Sequence, residues 1–282
     1  MRTLILGAGG QLGRDLVAAF QPTGEVRGYT RDQVDITSED AVYRVVEQFP
    51  PDLIVNAAAY TNVDAAEDDL ERAFMVNEAG ARHVAELAEY RGVPVVHFST
   101  DYVFGNAKLT PYEVTDPLSP LGVYGKSKAA GEAAVRKACP QHYIVRTAWL
   151  YGPGGNNFVE KILRAAAARP ALRVVEDEVG CPTHTHDLAE AARHLVRTQH
   201  YGTYHVVNSG ACSRYEQARA IMELAGLTTK VEPCASSEFP SKAERPHYSV
   251  LSTVAYEQAT GQAVRPWRDA LAHYLKRRET HA

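Results

Sequence analysis

Short aliphatic runs separated by amphipathic stretches set the rhythm of the first half of the chain. "TLILG" (3–7), "EVRGY" (25–29), "DLIVNAAA" (52–59), "PVVHFST" (94–100) and "YIVRTAWLYG" (143–152) are too short and too rich in β-branched or aliphatic residues for helices, and predict strands. The third and fourth lack a polar alternation, the pattern of strands buried on both faces. Between the runs, apolar positions recur at helical spacing over roughly 11–20, 38–49, 70–91 and 122–138. The second of these helices opens on "TSED", where Thr37 or Ser38 offers a capping hydroxyl. Strand and helix in alternation predict right-handed parallel crossovers and an α/β fold with a Rossmann-like, doubly wound parallel sheet.

After residue 150 the rhythm loosens. "LRVVED" (172–177) and "GTYHVVNS" (202–209) predict strands and "SRYEQARAIMELAG" (213–226) an amphipathic helix, while "GPGGNN" (152–157) and "CPTHTHD" (181–187) have loop composition. Proline and serine then cluster through 233–250, and no internal repeat is present. The expected division is a dinucleotide-binding domain over 1–150, receiving segments from about 184–208, and a smaller substrate-binding α/β domain over 151–282. A ligand belongs in the crevice between them, at the carboxyl ends of the first sheet.

Composition narrows the function. The 282 residues carry a formal net charge of -4 without a basic stripe, which argues against nucleic acid and anionic membrane as partners. The basic run Lys276 to Arg278 suits the solvated end of a last helix. Four cysteines, Cys139, Cys181, Cys212 and Cys234, lie far apart without zinc spacing and read as reduced structural thiols. Leu4 to Leu6 is too short for a signal segment and no stretch approaches a membrane span, so a cytoplasmic location is expected.

Candidate chemistry begins directly after the first strand, in "GAGGQLG". Gly7, Gly10 and Gly13 recur every three residues, with Gln11 and Leu12 opening the helix. One glycine turns the chain, one admits a pyrophosphate and one packs the helix on the sheet, while the helix N-terminus faces the phosphates. The second strand ends without an acid; Arg31 is placed to face a 2′-phosphate, which favours NADPH over NADH, or else is simply an exposed arginine. Asp35 and Ile36 are placed to touch the adenine edge. Ala57, Ala58 and Ala59 leave room for a flat cofactor against bare backbone. Ser99 and Thr100 put hydroxyls on the same rim. Tyr124 and Lys128, four residues apart, project from one helix face, where an ammonium would lower the phenol pKa and make Tyr124 a usable acid.

Together these motifs resemble the extended short-chain dehydrogenase/reductase superfamily. Within it, "NAAAYTNVDAAE", "STDYVF", "VYGKSKAAGE", "RTAWLYG", "NNF", "GCPT", "DLA" and "RPHYSVL" closely resemble the dTDP-4-dehydrorhamnose reductases over nearly the whole chain. The resemblance implies NAD(P)H-dependent reduction of dTDP-4-keto-L-rhamnose at C4, giving dTDP-L-rhamnose. Thr100 would hydrogen-bond the C4 carbonyl, Tyr124 would donate the proton, and Lys128 would hold the nicotinamide ribose and tune Tyr124. Asp101, Tyr102 and Trp149 would line the sugar pocket; Asn156 and Arg245, followed by Pro246, would serve the nucleotide diphosphate. Trp149 also suits interdomain packing and Arg245 a solvated loop. Asn77 resembles the asparagine that the family carries on the helix after the third strand, and a plain surface amide is the alternative. The resemblance also implies a homodimer.

There are departures. Some relatives hold magnesium at a dimer contact through glutamates, whereas this chain has Asp15 and His186 at the corresponding places, so no metal is expected. His184 and His186, spaced i, i+2 and lacking a third ligand, are read as solvent or interface residues. Glu178 stands where relatives often carry glutamine. The dehydratase alternative needs an Asp-Glu pair, but Tyr102 follows Asp101; an NAD-retaining epimerase and a non-catalytic, reductase-like regulatory subunit remain as alternatives.

Overall fold

The structure, a computed structural model, describes residues 1–279. Its first half contributes β1 (Thr3–Leu6), β2 (Val26–Tyr29), β3 (Leu53–Asn56), β4 (Val95–Thr100) and β5 (His142–Thr147), interleaved with α1 (Gln11–Phe20), α2 (Glu39–Gln48), α3 (Val63–Ala66), α4 (Leu70–Phe74), α5 (Ala81–Tyr90) and α6 (Val123–Ala138). The second half adds β6 (Leu150–Tyr151), α7 (Phe158–Ala168), β7 (Ala171–Val175), β8 (Val179–Gly180), β9 (Thr183–His184) and α8 (Thr185–Val196). It continues through β10 (Gly202–His205), β11 (Cys212–Ser213), α9 (Arg214–Leu224), β12 (Lys230–Cys234), α10 (Val254–Thr260) and α11 (Trp267–Glu279).

Six strands form one sheet in the order β10-β5-β4-β3-β1-β2, every neighbouring pair parallel. β1, β3, β4 and β5 are buried along their whole lengths, as continuous aliphatic runs require when helices cover both faces. On one face Leu12, Leu16 and Phe20 of α1 meet Leu188 and Leu195 of α8. On the other, Val46 of α2, Val84 of α5 and Val135 of α6 pack together. A separate core joins α7, α9 and α11 through Ile162, Ile221 and Leu271 beside the parallel β7–β12 pair. The sheet thus has the doubly wound α/β architecture expected. The chain moves outward from β1 to β2, then crosses back to place β3 on the other side of β1. That reversal opens a crevice at the carboxyl ends of β1 and β3.

Four elements differ from their sequence expectation. The strand expected over 52–59 ends at Asn56, so Ala57 to Ala59 run on as irregular backbone at the sheet edge. The strand expected over 143–152 is cut after Thr147, because Trp149 adopts a left-handed backbone at φ 48° that no strand continues through. The helix expected over 70–91 contains a π-helical stretch, Met75–Gly80, between α4 and α5. There the buried amide of Asn77 accepts from the Tyr60 N–H at 2.9 Å and donates to Ser127 Oγ at 2.9 Å. Capping of α2 falls to Ser38, whose Oγ accepts from the Ala41 N–H at 3.3 Å. The supposed loop over 181–187 is β9 followed by the first turn of α8. Among the described residues no helix is long and apolar enough to cross a membrane.

Candidate active site

A cleft of about 460 Å³ lies over the reversal between β1 and β3. Its floor is the glycine turn: Gly7, Gly10, Gln11, Leu12 and Gly13. Gly7 sits at φ +80°, and a Cβ there would come within 2.6 Å of the Ala58 backbone nitrogen, so only glycine serves both the turn and the close approach to β3. A Cβ on Gly13 would overlap the Gly7 carbonyl. Gly10 caps α1 with no side-chain hydrogen bond, leaving the first-turn amides open toward the cleft. Ala57, Ala58 and Ala59 form the adjoining wall, and Arg31, Asp35 and Ile36 one end.

At that end Arg31 is exposed, whereas Asp35 is occupied. Its Oδ1 accepts from the Thr37 N–H at 2.9 Å and the Thr37 hydroxyl at 2.8 Å, and Oδ2 lies 3.6 Å from Arg72. Burial pushes this carboxyl up, but the Thr37 bonds, Arg72 and Arg31 outweigh it and hold the group below its ordinary value. Deep in the cleft, Ser99 Oγ and Thr147 Oγ1 are buried without a hydrogen-bond partner. Bare alanine backbone, an open helix N-terminus and two orphaned hydroxyls fit an extended dinucleotide.

The opposite end holds Thr100, Asp101, Tyr124, Lys128 and Trp149. Thr100 Oγ1 donates to Asp101 Oδ1 at 3.0 Å and accepts from the Tyr102 N–H at 3.2 Å. Asp101 Oδ2 accepts from Ser249 Oγ at 2.6 Å. Burial raises Asp101 to about 6, opposed by the Ser249 and Thr100 bonds and by Arg214. The Tyr102 and Tyr124 rings meet edge to face, 5.8 Å apart.

Lys128 does not do to Tyr124 what the spacing predicted. Its Nζ donates to the Phe98 carbonyl at 2.6 Å, and the residue is 2% exposed. Burial lowers the ammonium to about 8, with Glu132 one turn on working against that shift. Tyr124 is instead raised above its ordinary value by burial, Asp101 and Tyr102 acting in the same direction and a Thr100 hydrogen bond against it. Desolvation is the largest cause of the shift on both side chains.

Two residues expected at the diphosphate are engaged elsewhere. Asn156 is exposed and its Oδ1 accepts from Arg164 at 2.8 Å; its neighbour Asn157 turns inward, donating to Gln11 Oε1 at 3.3 Å and the Gly152 carbonyl at 3.0 Å. The side chain of Asn157 also caps α7, which explains why it and not Asn156 faces the fold. Arg245 Nη2 is paired with Asp64 at 2.8 Å. Tyr102 lines a small recess behind Tyr124, beside Glu244 and Pro246. His184 is buried in a ring cluster with Tyr151, Tyr274, His186 and His273, away from the cleft. Asp15 Oδ2 accepts from the Thr185 hydroxyl at 2.5 Å. Among the described residues no group of three His, Cys, Asp or Glu is arranged to hold a metal.

A sequence profile described as "RmlD substrate binding domain" matches residues 1–280. The chain belongs to that family. A dTDP-4-dehydrorhamnose reductase of Mycolicibacterium smegmatis is 45% identical over 96% of this chain and 84% of its own length. A spore coat polysaccharide biosynthesis protein, SpsK, of Bacillus subtilis is 44% identical over 99% of this chain and 98% of its own. A crystal structure of dTDP-4-dehydrorhamnose reductase from Bacillus anthracis in complex with NADP superimposes with a TM-score of 0.95 at 36% identity, covering 98% of this chain and 99% of that one.

Set in this family, the site contains groups that the sequence did not flag. From the second half of the chain, Ser249 hydrogen-bonds Asp101 and Arg214 acts on it electrostatically. Glu132 is fully buried and held by Arg146 through two bonds, 2.9 and 2.7 Å. The one visible signal was "SRYE", a capping pattern that positions Arg214 at the start of α9 without revealing what it faces.

Proposed function

We propose that this protein is an NADPH-dependent dTDP-4-dehydrorhamnose reductase that converts dTDP-4-dehydro-L-rhamnose to dTDP-L-rhamnose. The observation that carries the reading is the convergence of Thr100, Tyr124 and Lys128 on one end of a cleft whose other end fits a dinucleotide. When bound, the reduced nicotinamide supplies the hydride that adds to the ketone carbon.

The chain's own residues supply the proton and the orientation. Thr100 exchanges its Asp101 acceptor for the C4 oxygen and fixes the carbonyl. Tyr124, kept protonated by burial, gives its phenolic proton to that oxygen as negative charge develops there. Lys128, one turn along α6 with its Nζ on the Phe98 carbonyl, would hold the nicotinamide ribose, the role the family resemblance implies for it. Arg31 at the open end supports NADPH over NADH, since a forked cation suits a 2′-phosphate and Asp35 is already hydrogen-bonded. Residues 1–150 would bind cofactor, completed by residues 184–208, which carry α8 and β10, and the rest of 151–282 would bind the sugar nucleotide. The four buried free thiols suit a reducing cytoplasm, and a homodimer is the proposed assembly.

The test is loss of reduced-nicotinamide absorbance with dTDP-4-keto-L-rhamnose generated in situ. Sugar-dependent, stoichiometric consumption is expected, faster with NADPH than with NADH. Tyr124→Phe should lower kcat by about 10²–10⁴-fold, the range for losing a positioned general acid, with NADPH affinity nearly unchanged. Wild-type turnover in that variant would remove Tyr124 from the mechanism.

A further inference from the structure

Arg214 stacks on Trp149, a residue that lines the catalytic end of the cleft. Its guanidinium lies 3.4 Å over the Trp149 ring and 4.9 Å from the Phe158 ring centroid. Its hydrogen bond to a side chain runs from Nη1 to Gln217 Oε1 at 3.3 Å, and among the described residues it forms no ion pair. Asp101, Tyr102 and Glu178 act on it electrostatically without reaching it. Arg245, by contrast, is neutralised by Asp64. The position of Arg214 is imposed from both sides. Ser213 and Glu216 form a reciprocal capping box that fixes the first turn of α9. Trp149 is held at φ 48°, a strained backbone for a bulky residue, and a Cβ on Gly180 would come within 2.6 Å of its indole. A half-buried guanidinium held this firmly beside a substrate pocket, with Nη1 on Gln217 and its other donors bound to no side chain among the described residues, is poised for an anion.

We propose that Arg214 anchors the diphosphate of the sugar nucleotide at the Trp149 end of the cleft, the role the sequence had assigned to Asn156 and Arg245. The assignment rests on the reductase reading above. Binding a diphosphate there would return to the guanidinium the solvation it lost on burial, and so couples nucleotide binding to the orientation of Trp149.

Calorimetric titration with dTDP and with thymidine, both in the presence of NADP⁺, isolates the diphosphate contribution as the ratio of the two affinities. Arg214→Met keeps the apolar stem over Trp149 and removes the charge. It should lower dTDP affinity by about 10–100-fold, the worth of a charge-assisted pair of hydrogen bonds, leaving thymidine and NADP⁺ affinities unchanged and raising KM far more than it lowers kcat. Arg214→Lys, which keeps charge without the fork, should lose a smaller part of the same ratio and decides the matter if the methionine variant fails to fold. An unchanged ratio in a folded variant, or an equal loss for dTDP and thymidine, would overturn the assignment. Sugar-dependent NADPH consumption by the wild type tells this failure from failure of the reductase reading. A wild type that neither consumes NADPH nor prefers dTDP to thymidine would overturn both.

Discussion

The ammonium of Lys128 is the most consequential single charge in the site, because its proton is held only weakly. A lysine is charged below its pKa, and burial brings Lys128 from 10.5 to about 8, so the cation is lost as pH rises through about 8. The profile of kcat/KM, which reports the free enzyme, should therefore decline above about pH 8, and a profile flat well into the alkaline range would separate Lys128 from the rate. Legibility at this scale followed covalent spacing. Tyr124 and Lys128 share one helix, and the glycines one turn, so their positions could be read locally. Ser249 contacts Asp101 across 148 residues, and Arg214 reaches Trp149 from another helix; no local pattern encodes either meeting. The direction of the Tyr124 shift was misread for the same reason, since desolvation is a property of the packed surroundings.

Among the elements, the π-helical stretch matters most to the site. Asn77 there satisfies both main-chain groups of Tyr60, accepting from its N–H at 2.9 Å and donating to its carbonyl at 3.1 Å, and also donates to Ser127 beside Lys128. One amide thus ties the loop after β3 to α6, which bears Tyr124 and Lys128. Asn77→Ala leaves the Tyr60 N–H and carbonyl without these partners and should cost about 2–4 kcal/mol, read as a lower urea midpoint with an unchanged slope. Turnover should fall as well, because α6 loses its tether. Strand and helix alternation was visible because aliphatic runs and amphipathic periods are local. The interruptions at Ala57, Asn77 and Trp149 were not, because each answers to a contact: Ala58 with Gly7, Asn77 with Tyr60, and Trp149 with Gly180 and Arg214.

Across the whole molecule, a buried ion pair joins α6 to the sheet. Glu132 and Arg146 are 0% and 2% exposed, and Arg146 also lies 3.3 Å from His205 on β10. Arg146→Met leaves the buried Glu132 carboxylate only the exposed Arg136, 3.6 Å away, and should cost about 3–5 kcal/mol, measurable by chemical unfolding. The face of α1 that carries Leu16 and Phe20 is covered by α8, and the outer edge of β5 by β10, both from beyond residue 184. Because the sheet is finished by chain that follows the second half's first elements, calorimetry should record one unfolding transition; two resolved transitions would contradict that shared core. The late return of β10 also bears on synthesis. On the ribosome, a nascent chain that has emerged only as far as Leu150 has every residue lining the cleft, yet one hydrophobic face and one strand edge stay open. Until about residue 205 is out, that intermediate is the protein's most vulnerable form, and chaperones rather than cofactor would be its first companions.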